Sequence, residues 1–160
     1  MATLHMLCGK IAAGKSTLAA ELARQPNTVL ISEDFWMATL YPGEILTVDH
    51  YSKCSARLGA AMGPHIAGVL RSGLSVVLDF HANTVSRRAW MRGIVDQSGA
   101  AHRLHHLDMS DEVCRARLHK RNAAGAHEYA VTDAEFDQFT RYFVAPTSDE
   151  GFNVVVHGVT

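Results

Sequence analysis

Short apolar runs alternate along the chain with longer stretches whose apolar positions recur at helical spacing. Thr3 to Cys8 is mostly apolar and stops at Gly9, which predicts a buried strand. Lys15 to Arg24 is rich in helix formers, with Leu18 and Leu22 on one face, and Gln25-Pro26-Asn27 stops it. Val29-Leu30-Ile31 predicts a second strand, closed by the polar Ser32-Glu33-Asp34. A loop is expected from there through Tyr41-Pro42-Gly43. Asp49 to Arg71 predicts a long helix, with Gly59 and Gly63-Pro64 as points of break or kink. Leu74 to Phe80 is the clearest strand. A helix over Val85 to Gln97 is closed by Ser98-Gly99. Ala101 to Met109 predicts a fourth strand. Ser110 then caps a helix carrying Asp111 and Glu112 in its first turn. Asn122 to Ala130 is small and polar and predicts a loop. Thr132-Asp133-Ala134-Glu135 is a capping box that opens a helix to Phe143, and Asn153 to His157 predicts the last strand.

Strands that alternate with helices require crossover connections. The pattern therefore predicts an α/β fold: a parallel sheet with helices on both faces. The near-continuous apolar strands agree, because such strands are covered on both sides. At 160 residues, without an internal repeat or linker, residues 1–160 are expected to form a single domain. Apolar residues make up 48% of the chain and charged residues 19%, enough for a core and against disorder. Fifteen basic and 16 acidic residues leave a net charge of -1, which gives no support to a protein that coats nucleic acid by charge. The three cysteines are odd in number and lack a C-x-x-C pair. A disulfide framework and a zinc ribbon are not expected, and a reducing compartment is. No basic segment precedes the first apolar run and no run reaches the length of a membrane span. The expectation is a cytoplasmic protein with no membrane partner.

Gly9-Lys10-Ile11-Ala12-Ala13-Gly14-Lys15-Ser16 matches G-x-x-x-x-G-K-[ST] at every fixed position, between a predicted strand and a predicted helix. Glycines let backbone N–H groups curl around an anion, and a helix N-terminus adds unpaired donors. The motif predicts a nucleotide site formed by Gly9, Ala12, Ala13, Gly14, Lys15, Ser16 and Thr17. Lys15 is placed to reach the β- and γ-phosphates of ATP, and Ser16 to offer its hydroxyl to Mg²⁺. A GTPase would need an N-K-x-D guanine reader, which is absent. The D-x-x-G of Asp96-Gln97-Ser98-Gly99 sits at a helix end and reads as a helix stop. A transporter ATPase would carry an L-S-G-G-Q-like signature, also absent.

The glycine-lysine loop, Ile31-Ser32-Glu33-Asp34, Val76-Val77-Leu78-Asp79 and Arg117-Leu118-His119-Lys120-Arg121 together resemble the small P-loop kinases. The similarity is to the zeta-toxin-like and chloramphenicol-phosphotransferase-like proteins. Polynucleotide kinase and the gluconate and shikimate kinases are more distant. The resemblance implies a three-layer P-loop NTPase fold with a five-stranded parallel sheet in the order 2-3-1-4-5. It also implies ATP-dependent phosphorylation of a hydroxyl.

Within that resemblance Asp34, just past the second strand, takes the place of the general base. Ligands bind on that edge in open α/β sheets, and transfer to an alcohol needs a carboxylate to accept its proton. Strand alternation would turn Glu33 away. A turn or helix cap is the plainer role for Asp34. Asp79 stands at the Walker B position and would hold the Mg²⁺ shell, with substrate contact beside His81 and Asn83, or a cap for the next helix, as alternatives. In the resembled kinases arginines at a lid border close over ATP. Arg117 and Arg121, four apart on one helix face, take that place, and Arg115 is a further candidate. A solvated basic helix end would look the same.

Of the ten histidines, His105 and His106 are adjacent in a predicted strand and point to opposite faces, and His119 and His127 lack spaced partners. No transition-metal site is expected. Trp36, Tyr41 and Tyr51 either line a substrate pocket or pack in the core. The partners expected are a nucleotide and a small hydroxyl-bearing molecule (an antibiotic, a sugar or a nucleoside), with a nucleic-acid end less favoured for want of a basic stripe. The competing reading is a nucleotide-binding regulatory or interaction module with slow or no hydrolysis.

Overall fold

The computed structural model describes residues 1–125 and 130–158. Five strands, β1 (Thr3–Cys8), β2 (Thr28–Ser32), β3 (Ser75–His81), β4 (Ala101–Asp108) and β5 (Val154–Gly158), form one sheet in the order β2-β3-β1-β4-β5. Every pairing is parallel. The helices are α1 (Lys15–Leu22), α2 (Glu33–Leu40), α3 (Val48–Arg71), α4 (Val85–Ser98), α5 (Asp111–Ala124) and α6 (Asp133–Tyr142). The sheet order is the one the family resemblance implies, and the parallel pairing is the one the strand–helix alternation predicts.

Period-two alternation divides the core. Leu4, Met6, Val76, Leu78 and Leu104 face Leu58, Met62 and Ile66 of α3 and Met91 and Ile94 of α4. Leu7, Val77 and Leu107 point the other way, onto Ala19, Cys114, Leu118 and Phe136. Full burial of a side chain such as Leu78 is worth about 1.5–3 kcal/mol. The central strands hold the sheet on this account. Edge strand β5, with Val154 and Val156 exposed, contributes less.

Three expectations need correction. The segment after Asp34 is helix α2, not a loop. Ser32 caps it by accepting from the Phe35 N–H (3.3 Å), Glu33 and Asp34 sit in its positive first turn, and Met37 is fully buried. Helix α3 runs through Gly59 and Gly63-Pro64 without a break. Those glycines make room for Trp90, whose indole N–H donates to Gly59 O (3.2 Å); a Cβ on Gly63 would lie 3.3 Å from that ring nitrogen. Helix α5 extends to Ala124 and is closed by Gly125 at φ 64°, so Asn122 to Ala124 are helical rather than loop. The rest of that predicted loop, with His127, lies mainly outside the described residues. Gly99, at φ 67°, ends α4 and accounts for the D-x-x-G. The capping box at Thr132 and Glu135 forms as expected.

Candidate active site

The glycine-lysine loop leaves β1 and enters α1 in a conformation most residues avoid. Gly14 is at φ 107°, and Ala12 takes a left-handed φ of 64°, a strain that accumulates at functional sites. Gly14 caps α1 with no side-chain hydrogen bond, so the first N–H groups of the helix are left to an anion. Gly9 is held from behind. Its N–H donates to Asn83 Oδ1 (2.9 Å) and its carbonyl accepts from Asn83 Nδ2 (2.8 Å). A Cβ on Gly9 would meet Ala13, Leu107 Cβ and the Leu107 carbonyl at 3.2 Å, a tight fit that would push these neighbours by a few tenths of an ångström. Ala12, Ala13, Gly14, Lys15, Ser16 and Thr17 line one cavity of about 870 Å³. Gly9 is not on its wall, and its N–H is already committed; it shapes the loop from outside the cavity.

The Lys15 ammonium donates to the carbonyls of Gly9 and Lys10. Burial pulls its pKa down to about 8, with Asp79 and Asp34 pulling the other way. An anion in the loop would relieve that burial cost. Asp79 reaches the same point from β3. The β1–β3 ladder slips there, with Met6 opposite Leu78 but Leu7 opposite His81, so Asp79 and Phe80 bulge out of it. Ser16 Oγ donates to Asp79 Oδ2 at 3.1 Å. A hydroxyl and a carboxylate converging beside a phosphate loop are the hard oxygen donors that Mg²⁺ prefers. Asp79 does not cap α4; Thr84 does, accepting from the Arg87 N–H at 3.2 Å.

Asp34 and Glu33, adjacent in the first turn of α2, both line the cavity. Their environments differ. Glu33 is buried and takes both guanidinium contacts from Arg87 Nη2 (2.9 and 3.0 Å), plus Tyr51 Oη (2.6 Å) and Ser55 Oγ (2.7 Å). Arg87 also donates to Ser55 Oγ and to the His81 carbonyl. Burial alone would raise the Glu33 pKa, but Arg87 and the two hydroxyl donors hold it below the usual carboxylate value. Burial, with the Glu33 charge beside it, lifts the Tyr51 phenol well above its ordinary value. Burial drops His81 to about 3, with Arg87 adding to the effect. Glu33 is thus committed to a structural ion pair, and the clamp ties α2, α3 and α4 together beside Asp34.

Arg117 and Arg121 line the cavity from α5, and Arg117 Nη1 donates to Ala13 O at 3.1 Å. Arg115 turns away to Asp137 (2.9 Å) and Asp133. Tyr51 is on the cavity wall. Trp36 is partly exposed and Tyr41 packs on the core, and neither lines the cavity. His105 and His106 do face apart. His105 sits in a row between His5 (3.1 Å) and His157 (3.0 Å), and burial drops its pKa to about 4, whereas His106 lies over Phe143. His119 pairs with Asp133 at 2.7 Å. Among the described residues no group of three ligating side chains could hold a metal ion.

The Asn83 clasp and the Glu33–Arg87 clamp escaped the sequence reading. One signal was available. Arg87 and Arg88 stand in the first turns of α4, where the helix dipole disfavours cations, so each implies an acidic partner. The partners are Glu33 and Glu150, the latter 2.6 Å from the fully buried Arg88.

Solved structures share this fold. A sugar kinase from Janibacter sp. superposes at TM-score 0.69 with 17% identity, over 99% of this chain and 86% of that one. A gluconokinase from Sinorhizobium meliloti gives 0.64 and 19%, over 99% and 82%. Kti12 from Chaetomium thermophilum, in complex with ADP-AlF3, gives 0.74 and 15%, over 97% and 88%. At these identities the likeness is one of fold. No curated protein matches the sequence. The family model described as "AAA domain" matches residues 4–146, which take in the glycine-lysine loop, Asp34, Asp79 and both cavity-lining arginines. The chain belongs to that AAA domain family of P-loop proteins.

Proposed function

We propose that the protein is a kinase that transfers the γ-phosphate of ATP to a hydroxyl of a small molecule. This is the reaction type of the zeta-toxin-like and chloramphenicol-phosphotransferase-like proteins that its motifs resemble. The observation that carries the reading is one shared cavity: Lys15, Ser16 and Asp79 enter it from the phosphate loop and β3, and Asp34 from α2. A nucleotide-binding module needs no carboxylate at Asp34.

In this reading the α1 N-terminus and Lys15 hold the β- and γ-phosphates, and Arg117 and Arg121 neutralise charge on the group in transfer. Ser16 and Asp79 would hold Mg²⁺, which would supply positive charge against the phosphates in transfer. Asp34 orients the acceptor hydroxyl and takes its proton. The free, buried Cys8, Cys54 and Cys114 suit a reducing, cytoplasmic setting. No described helix is long and apolar enough to cross a membrane.

The test pairs Asp34→Asn with the parent protein. Single-turnover transfer of labelled phosphate to hydroxyl compounds should fall by about 10²–10⁴-fold, with Mg²⁺·ATP affinity little changed. Transfer at the parent rate would remove Asp34 from the role. A parent protein that binds ATP and labels no acceptor would favour the module.

A further inference from the structure

The half of the cavity beyond the phosphate loop is chemically unlike the nucleotide half. The lysines and arginines on the wall among the described residues are Lys15, Arg117 and Arg121, and all three stand on the loop or on α5. Residues 126–129, Ala-His-Glu-Tyr, bring neither lysine nor arginine. Arg87 lies behind the acceptor side and is engaged with Glu33. An acceptor carboxylate, sulfate or phosphate would thus meet no described lysine or arginine of its own there, while Glu33 and Asp34 stand on that wall.

The same wall is rich in apolar and aromatic surface. Tyr51 stacks on His81 (centroids 6.2 Å) and meets Phe139 edge-on (6.5 Å). Leu46 and Tyr142 stand largely exposed at the cavity. His81 has a sealed Nδ1 with no hydrogen-bond partner, and no described residue bonds its Nε2. It is the polar side chain of this aromatic group left over for a ligand.

We propose that the acceptor is an uncharged, amphipathic hydroxyl compound that lays an apolar face on Tyr51 and Phe139, with the His81 ring bonding a polar group other than the phosphorylated hydroxyl. The proposal rests on the kinase reading for its reaction and on the wall chemistry for its substrate class.

Two matched pairs test it: phenyl glucoside against phenyl glucuronide, and adenosine against adenosine monophosphate. Binding is measured by calorimetry with a non-hydrolysable ATP analogue in place, and transfer separately with labelled ATP. The uncharged member of a pair should bind at least tenfold tighter. His81→Phe keeps the ring and deletes its nitrogens; it should weaken that binding at least fivefold and leave the analogue's affinity unchanged. His81→Asn carries the same test if the phenylalanine variant does not fold. Leu46→Arg adds a cation at an exposed wall position and should narrow the preference. Equal or tighter binding of the anionic members, binding by neither pair, or indifference to both His81 variants would overturn the inference. Transfer to the anionic members would overturn it and leave the kinase standing. Binding of uncharged members without transfer would support the ligand class read from the wall and count against the kinase reading.

Discussion

Replacing Arg87 by Met tests the clamp behind Asp34. The change keeps much of the side-chain volume and removes the charge. It leaves the Glu33 carboxylate, only 3% exposed, with Tyr51 and Ser55 as donors and no counter-charge. Removing one partner of a buried ion pair costs about 3–5 kcal/mol. For a chain of this length each kcal/mol moves Tm by about 2–4 °C, so the variant should melt about 6–20 °C lower. The reverse change, Glu33→Gln, should cost less, because Arg87 is 18% exposed and keeps the Ser55 and His81 oxygens.

The pH dependence follows the same carboxylate. Its folded pKa lies below its ordinary 4.5, so its contribution is complete above that value and is lost as pH falls through the folded pKa. In Arg87→Met that acid-side loss should shrink or reverse. Urea melts of the two single variants and the double variant at pH 4 and pH 7 give the coupling energy. A loss under about 1 kcal/mol in Arg87→Met, or additive single effects, would refute the argument that the clamp is a buried, coupled pair.

Lys15→Ala should abolish measurable ATP binding by calorimetry while the far-ultraviolet spectrum stays that of the parent. Lys15 also predicts a proton linkage: with its pKa pulled down to about 8 by burial and raised again by a neighbouring phosphate, ATP binding at pH 8 should take up about half a proton, and less at pH 7. Titrations in buffers of different ionisation enthalpy would show it, and an uptake that persists in Lys15→Ala would assign it elsewhere. Asn83→Ala removes both bonds to Gly9, about 2 kcal/mol in all, and should weaken ATP binding as well as lower Tm; an unchanged Kd would detach Asn83 from the loop's shape.

The parts legible in the sequence are those that local chemistry decides. Alternating apolar runs, the Ser110 and Thr132 caps and the Gly99 stop each follow from nearby residues, and the glycine-lysine loop carries its spacing with it. Helix α2 was missed because Pro42-Gly43 suggested a turn, whereas Ser32 and the burial of Met37 decide the matter one segment earlier. The α3 glycines that read as breaks are packing sites for Trp90, which arrives from another helix. Glu33 and Arg87 are 54 residues apart, and Gly9 and Asn83 are 74 apart. No local pattern joins such pairs; only the closing of the sheet does.

The backbone of Asn83 makes one more bond: its carbonyl accepts from the Val144 N–H at 2.8 Å. The carbonyls of Ala82 and Val144 both accept from Arg88, which Glu150 then neutralises. The residue that fixes the start of the phosphate loop is therefore itself fastened by a segment near the end of the described chain. During synthesis the chain emerges N-terminus first, and Gly9 waits for more than 130 residues before Val144 and Glu150 can arrive. The nascent chain carries the complete nucleotide-binding motif long before it can hold that motif in its working shape. Contacts of such sequence separation slow folding, because the long loop must close before they repay its entropy. Completion of the phosphate loop thus waits until residues 144–150 have left the ribosome and packed on Asn83 and Arg88.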